Sequence, residues 1–384
     1  MYRRILTSPL HANTSFFLFG PRGTGKTTWL RAQIPHALFI DLLDSSYYQD
    51  LLVKPHRLAD IIGNKPVKWI VLDEIQRVPE LLNEVHRLIE TTAYRFVLTG
   101  SSARALRRKG VNLLAGRAIQ YHFYPLTAME LAADFSLEKS LKWGHLPTVF
   151  GAIEPAKYLT TYVQTYLREE VLQEGLTRNI GQFSRFLEIA SFSQGCVLNM
   201  SEISRELGVD RMTVVNYFSI LEDLLIGYML PVFSKRSKRR LTSHSKFYFF
   251  DTGVFRAIRP MGPLDSPEEA AGPGLETLVL QELQAINAYF ELGYTLFYWR
   301  TATGQEVDFV LYGQGGLIAI EVKRSHSIQS RDLRGLNLFK SDYPIAQCYC
   351  FYGGSREEQI GDVSLIPIHR ALPQLKALLT PSVL

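Results

Sequence analysis

The chain has 384 residues, of which 46% are hydrophobic, 21% charged and 12% aromatic, a composition that excludes a disordered chain and a length that calls for several domains. A net charge of +5 permits a nucleic-acid partner without requiring one. Its three cysteines, Cys196, Cys348 and Cys350, have neither disulfide nor metal-ligand spacing, which fits a reducing cytoplasm, and no apolar run approaches the roughly 20 residues of a membrane-spanning helix.

The opening stretch, MYRRILTSPLHANTSFFLFG, starts with a basic pair, but polar residues break its apolar run and it leads straight into a glycine loop. It reads as mature protein rather than as a signal peptide. From residue 16 to about residue 125, short β-rich runs alternate with helical patterns: FFLF, ALFID (37 to 41), KWIVLD (68 to 73), RFVLTG (95 to 100) and AIQYHF (118 to 123). That alternation predicts an α/β domain with a parallel sheet covered by helices.

Between FFLF and a helix beginning near Lys26 lies Gly20-Pro21-Arg22-Gly23-Thr24-Gly25-Lys26-Thr27, followed by Thr28. The segment matches the phosphate-loop pattern GxxxxGK[ST]. Its glycines let successive backbone N–H groups turn toward phosphates without Cβ clashes, and the helix N-terminus adds partial positive charge. Lys26 is expected to reach the β- and γ-phosphates of ATP, and Thr27 to bind Mg2+. The apolar strand ending in Asp73-Glu74 supplies the second half of such a site, with Asp73 holding the magnesium through water and Glu74 polarising the attacking water. Phe96 to Thr99 runs into Gly100-Ser101-Ser102, where Ser101 is a candidate γ-phosphate sensor; the alternative is a polar turn with Ser102 as a helix cap. Arg104, Arg107, Arg108 and Arg117 follow, and Arg117 is the candidate for an arginine acting on a neighbouring subunit's nucleotide.

The segments Ala128 to Phe135 and Ala156 to Gly175 predict a helical lid or connector. Farther on, Met200 to Asp210 and Arg211 to Tyr217 read as helix, glycine turn, helix, with Ile203, Leu207, Val214 and Leu221 inside and Thr213, Asn216 and Tyr217 facing outward. The following residues resemble the hairpin of a winged helix whose tip is Lys235-Arg236-Ser237-Lys238-Arg239-Arg240. Arg211, Thr213, Asn216, Lys235, Arg236, Lys238, Arg239 and Arg240 are therefore the candidate DNA contacts, the basic run through phosphates. A solvated hairpin tip or a protein-binding winged helix is the alternative.

A Pro/Gly-rich passage, Arg259 to Gly274, predicts a linker or long loop. Beyond it, Glu276 lies on a helix, Asp308 near the start of one strand, and Glu321 and Lys323 near the end of another, on one face because strand side chains alternate. Adjacent strands would bring Asp308 and Glu321 onto one divalent ion, Mg2+ or Mn2+, with Glu276 completing its shell and Lys323 positioning water. The alternative is a charged strand edge. This D-x12-E-x-K pattern resembles the PD-(D/E)xK nuclease superfamily, with Val307 where a proline is common.

The motif order GPRGTGKTT, IVLDEIQ, LTGSSAR, LLAGRA, YPLTAMEL, GHLPTV, TYLREE, FFDTGVF, TATGQEVDFVL and AIEVKRS resembles the AAA+ superfamily. More closely, it is similar to the bacterial and archaeal ATPases that join an AAA_14 domain to a DUF4143 region. The resemblance implies a sheet of order 5-1-4-3-2 and an ATP-driven homo-oligomeric ring, here a hexamer; Arg168 is the suggestion for a separate sensor arginine, and His145 stands where the family pattern suggests glycine. The expected organisation is an AAA+ P-loop core at 1–125, a helical lid or connector at 126–192, a winged helix at 193–252 and an α/β restriction-endonuclease-like domain at 253–384. The expected function is ATP-driven remodelling or translocation of DNA, branched or junction DNA included, in the cytoplasm and away from membranes, with metal-dependent cleavage attached. The competing expectation is a nucleotide-driven switch that acts on a protein partner and uses an inert nuclease-like domain for docking.

Overall fold

The computed structural model describes residues 2–11, 13–102, 117–167, 171, 179–235, 237, 239–242, 244–262 and 267–380. Two compact units make up the chain: Arg3–Tyr124 with Asp223–Leu225, and Pro125–Glu222 with Ile226–Leu384 and the first two residues.

The first unit is built on a sheet of β1 (Ser15–Phe19), β2 (Leu38–Asp41), β3 (Trp69–Asp73), β4 (Arg95–Gly100) and β5 (Ala118–His122). Their order is β2-β3-β4-β1-β5 and every pairing is parallel, which is the 5-1-4-3-2 arrangement that the family resemblance implies. The central strands are apolar without alternation because helices cover both faces of such a sheet. All five residues of β1 are buried, and Phe17, Phe19, Ile70, Leu72 and Leu98 share a core with Leu81, Val85 and Leu88 of the helix Leu81–Thr91. Parallel pairing also sends Phe19, Asp73 and Gly100 to one end of the sheet, where ligands of α/β folds are held.

The second unit takes in the segments expected as connector, winged helix and nuclease-like domain. Short helices at Ala128–Leu131, Leu137–Trp143, Pro147–Phe150 and Pro155–Thr161 come first, then helices Ile180–Phe192, Met200–Leu207 and Arg211–Asp223. Gly208 takes a left-handed φ of 68° at the turn between the last two, a conformation glycine adopts without a Cβ penalty. Ile203, Leu207, Val214 and Leu221 are buried as the spacing predicts. Tyr217 is not outward-facing, however: it is buried against Phe183 and Phe186, and its hydroxyl donates to Gln182 Oε1 at 3.0 Å. The aromatic cluster beneath the helix claims it.

An antiparallel hairpin of β6 (Gly227–Leu230) and β7 (Lys246–Phe249) follows. A six-stranded mixed sheet completes the unit: β8 (Thr295–Arg300), β9 (Glu306–Gly313), β10 (Gly316–Lys323), β11 (Gln347–Tyr352), β12 (Glu358–Ile360) and β13 (Val363–Pro367), in the order β12-β13-β11-β10-β9-β8. Described residues on either side of the basic run lie against the mixed sheet. Val232 bridges Tyr298 and Leu241 bridges Thr301 along edge strand β8, and Phe233 is buried beside Trp299 and Phe339. Burying one aromatic side chain and pairing an open strand edge outweigh leaving the segment in water.

The passage expected as a linker is also partly regular, since a helix runs Pro267–Tyr289 with Pro273 inside it. Proline in a helix interior costs about 3 kcal/mol. Here the apolar face that follows, with Leu275, Leu278, Val279, Leu283 and Ile286 all buried, offsets that loss.

Candidate nucleotide site and carboxylate cluster

At the C-terminal ends of β1, β3 and β4 the glycine loop closes over the sheet. Gly20 N donates to Gly100 O at 3.1 Å while Phe123 N donates to Phe19 O at 2.7 Å. A Cβ on Gly20 would lie 2.2 Å from Phe123 O, so only glycine fits this close approach. Gly23 and Gly25 take φ of 83° and 90°, and the helix Lys26–Gln33 starts directly after the latter. Its first-turn N–H groups point toward the phosphate position. The Lys26 ammonium donates back to Gly20 O at 2.6 Å and Pro21 O at 3.2 Å.

Thr27 Oγ1 donates to Asp73 Oδ2 at 2.6 Å, which joins the loop to the end of β3. Thr99 Oγ1 donates to the other oxygen, Asp73 Oδ1. A hydroxyl and a carboxylate in this relation form an oxygen donor set suited to Mg2+. Glu74, next along, has a left-handed φ of 60°, a conformation uncommon for a side-chain-bearing residue and often found at functional sites. Gln76 Nε2 donates to Glu74 Oε2 at 2.5 Å and to Ser101 Oγ at 3.0 Å, so Glu74 and the buried Ser101 are linked through one amide.

Two residues of this site escape sequence reasoning. Gln76 is one; its position two residues after an acidic pair is its only signal. Arg4 is the other: its guanidinium donates to Thr24 O at 2.9 Å and Tyr124 O at 2.6 Å and lies over the Phe123 ring. It braces the glycine loop, although in the sequence it is merely half of a basic pair. Thr28 is exposed on the helix and Arg22 half-buried in the loop. Arg117 precedes β5, whose pairing begins with Ser15, and therefore stands at the end of the sheet opposite the glycine loop. There its guanidinium ion-pairs with Glu90, holding that carboxyl below its usual pKa. Arg104, Arg107, Arg108 and Arg168 lie outside the described residues.

The second constellation belongs to the mixed sheet. Register Ile320–Phe309 in the antiparallel pair β9–β10, extended one step, sets Glu321 beside Asp308, and Val322 N donates to Asp308 Oδ2 at 2.9 Å. Lys323 donates to Glu321 Oε1 at 2.6 Å, while Tyr248 of β7 donates to Glu276 Oε2 at 2.7 Å. Between them sits Lys246, 2% exposed, its ammonium ion-paired with Glu306, 3.7 Å from Asp308 Oδ1 and 3.8 Å from Glu276 Oε2. Burial followed by the charge of Asp308 pushes Glu276 up to about 7 and Glu321 up to about 8. Burial opposes the charge of Lys246, but Glu276, Asp308 and Glu306 more than offset it and its pKa rises. Glu276, Asp308, Glu321 and Lys323 thus come together as their strand and helix positions suggest. Lys246 and Glu306 are additions; a lysine two residues before Tyr248 on an otherwise apolar strand was the readable sign of the former.

Among the described residues no group of three His, Cys, Asp or Glu side chains could hold a metal ion. At the position expected for a single divalent ion held by Glu276, Asp308 and Glu321, the ammonium of Lys246 lies 3.8 Å from Glu276 and 3.7 Å from Asp308.

The candidate DNA contacts are dispersed. Arg211 and Asn216 are exposed on their helix, whereas the Thr213 hydroxyl donates to Asp210 Oδ2 at 2.5 Å, the carboxylate that also accepts from Thr213 N at the start of that helix. Lys235 lies over the Tyr312 ring of β9 and Arg239 donates to Asp342 Oδ2, at the end of the helix Arg334–Asp342, at 2.7 Å. Arg240 is exposed, and its carbonyl accepts from Ala302 N. Arg236 and Lys238 lie outside the described residues. His145 is buried, with Nδ1 2.6 Å from Leu126 O and Nε2 2.7 Å from Ser140 Oγ, a paired core position.

A phosphate loop, an acidic strand end beside it and a five-stranded parallel sheet of this order define a P-loop nucleotide-binding domain. Residues 12–132 match the family model described as AAA domain, residues 135–265 a domain of unknown function (DUF8612), and residues 271–371 another domain of unknown function (DUF4143). The chain thus carries a nucleotide-binding AAA domain followed by a DUF4143 domain. An uncharacterized protein of Mycobacterium tuberculosis is 26% identical over 96% of this chain and 83% of its own, and one of Methanocaldococcus jannaschii is 23% identical over 83% and 76%. In solved structures, the Aeropyrum pernix Orc1 protein in complex with DNA aligns at 15% identity over 64% of this chain and 86% of its own, with a TM-score of 0.26. Protein VC1899 from Vibrio cholerae aligns at 12% identity over 94% and 96%, with a TM-score of 0.23.

Proposed function

We propose that the chain hydrolyses ATP to ADP and phosphate and uses the cycle to remodel or translocate DNA. The observation that supports the reading is the hydrogen bond from Thr27 Oγ1 to Asp73 Oδ2 at 2.6 Å, which brings together, at the mouth of the glycine loop, the two residues expected to hold Mg2+. The loop N–H groups and Lys26 bind the phosphates, and Thr27 directly and Asp73 through water would hold Mg2+, which would supply charge neutralisation for the phosphates. Glu74 orients and polarises the water that attacks the γ-phosphorus, and Ser101, reached through Gln76, monitors that phosphoryl group. Arg211, Asn216 and Arg240, all exposed, are the DNA contacts this reading favours. The ring that the AAA resemblance implies would place Arg117 against a neighbouring copy. Metal-dependent cleavage is not part of the reading, since Lys246 sits among the carboxylates that would hold the ion.

A second reading has an observation of its own. Met212 is 65% and Val215 37% exposed on the helix Arg211–Asp223, and apolar side chains there suit a protein partner. The deciding experiment is steady-state ATP turnover with Mg2+, first alone and then with single-stranded, duplex, forked and four-way-junction DNA. Selective stimulation by one form supports the DNA reading; a flat response across all four turns the assignment to the protein-directed switch. Lys26→Ala is expected to abolish turnover, and normal hydrolysis by that variant would overturn the site.

A further inference from the structure

The carboxylate cluster of the second unit has the strand placement of a metal centre but not its vacancy. Asp308 Oδ1 faces the Lys246 ammonium at 3.7 Å and Asp308 Oδ2 accepts from Val322 N. Glu276 Oε2 accepts from Tyr248 and faces the same ammonium at 3.8 Å. Glu306, one turn of the pleat before Asp308, ion-pairs with it directly. A divalent ion added here would meet a fixed positive charge at close range in a poorly hydrated site, where such repulsion is weakly screened.

Lys246 cannot leave by a small movement. Its strand is paired on one side to Leu230 and bridged on the other to Val197, and Leu198 N donates to Ser245 O. Tyr298 covers the ammonium from a further side. A buried lysine survives as a cation only when carboxylates replace its water, and three do so.

We infer that Lys246 is the resident cation of this cluster: its ammonium holds Glu276, Glu306 and Asp308 where a divalent ion would otherwise be bound, tying hairpin strand β7 to the mixed sheet and excluding metal. The nuclease-like arrangement is thereby a clamp between a helical module and a sheet rather than a cleavage centre. Glu321 and Lys323 pair with each other beside it. The inference does not depend on the nucleotide reading, which ATP turnover tests separately.

The test is a Mn2+ titration of the nucleotide-free full chain, read by the loss of the free-ion paramagnetic resonance signal. Asp73→Asn is present throughout to silence the glycine-loop site. With Lys246 intact, adding Asp308→Asn is expected to leave Mn2+ uptake unchanged. Lys246→Met is expected to gain a bound ion per chain, released again when Asp308→Asn is added. Uptake by the Lys246-containing chain that Asp308→Asn removes would overturn the inference, as would a folded Lys246→Met chain that takes up no additional ion. Should circular dichroism show Lys246→Met unfolded, the two Lys246-containing chains decide by themselves: equal uptake supports the clamp and lost uptake refutes it.

Discussion

Gln76 illustrates how far a single side chain can matter without belonging to any motif. Its amide joins Glu74 to Ser101, and its Oε1 is buried with no partner, close to where a Cβ on Gly100 would intrude at 2.6 Å. Gln76→Leu is expected to lower ATP turnover by about ten- to a hundredfold while leaving nucleotide affinity unchanged; a parallel loss of affinity would mark the residue as merely structural. Titration of the cluster gives another prediction at this scale. Glu276 and Glu321 ordinarily titrate near 4.5 but in the fold are raised to about 7 and about 8. A raised carboxyl pKa means that the native state holds protons the unfolded chain has released, so stability is fully present below 4.5 and is lost as pH rises through about 8. Glu276→Gln/Glu321→Gln mimics the protonated pair. Its melting temperature is expected to match that of the parent in acid and exceed it progressively toward alkaline pH, and an unchanged difference would refute the coupling.

Among elements, those with an internal period or a local rule were legible. The strands of the first unit announced themselves as unbroken apolar runs, and the glycine loop as a pattern that needs a strand before it and a helix after it. Legibility failed where a distant partner decides. Tyr217 is turned inward by Phe183 and Phe186, Phe233 is drawn into the core of the mixed sheet, and Pro267–Tyr289 is helical in spite of Pro273 because its later face is buried. Lys246 likewise has no local reason to be charged and buried; three carboxylates from other elements supply it. The short helix Thr252–Ile258 shows the same dependence. Asp251 caps it through Val254 N at 3.0 Å and also accepts His145 N at 2.7 Å, although burial raises its carboxyl pKa. Asp251→Ala leaves two buried donors unpaired and is expected to cost about 2 to 4 kcal/mol, seen as a lower urea midpoint, whereas Asp251→Asn keeps an acceptor and loses less.

Across the whole chain, no described helix is long and apolar enough to cross a membrane, and the family models fall on consecutive stretches, 12–132, 135–265 and 271–371. The chain after residue 125 does not divide so simply, because residues 231–233 and 240–242 lie along β8 and the turn after it, and Lys246 reaches into the cluster of Glu276, Glu306 and Asp308. Edge protection is the consequence. β8 is the outermost strand of its sheet, and the segment beside it occupies backbone groups at Tyr298, Arg300 and Ala302. A fragment beginning at residue 253 would bare that strand and leave its acidic neighbours uncompensated, and open strands recruit other copies of themselves. Such a fragment is expected to self-associate into high-mass species by light scattering, and one that begins at Pro125 to remain dispersed; the hairpin is in this sense the sheet's own chaperone.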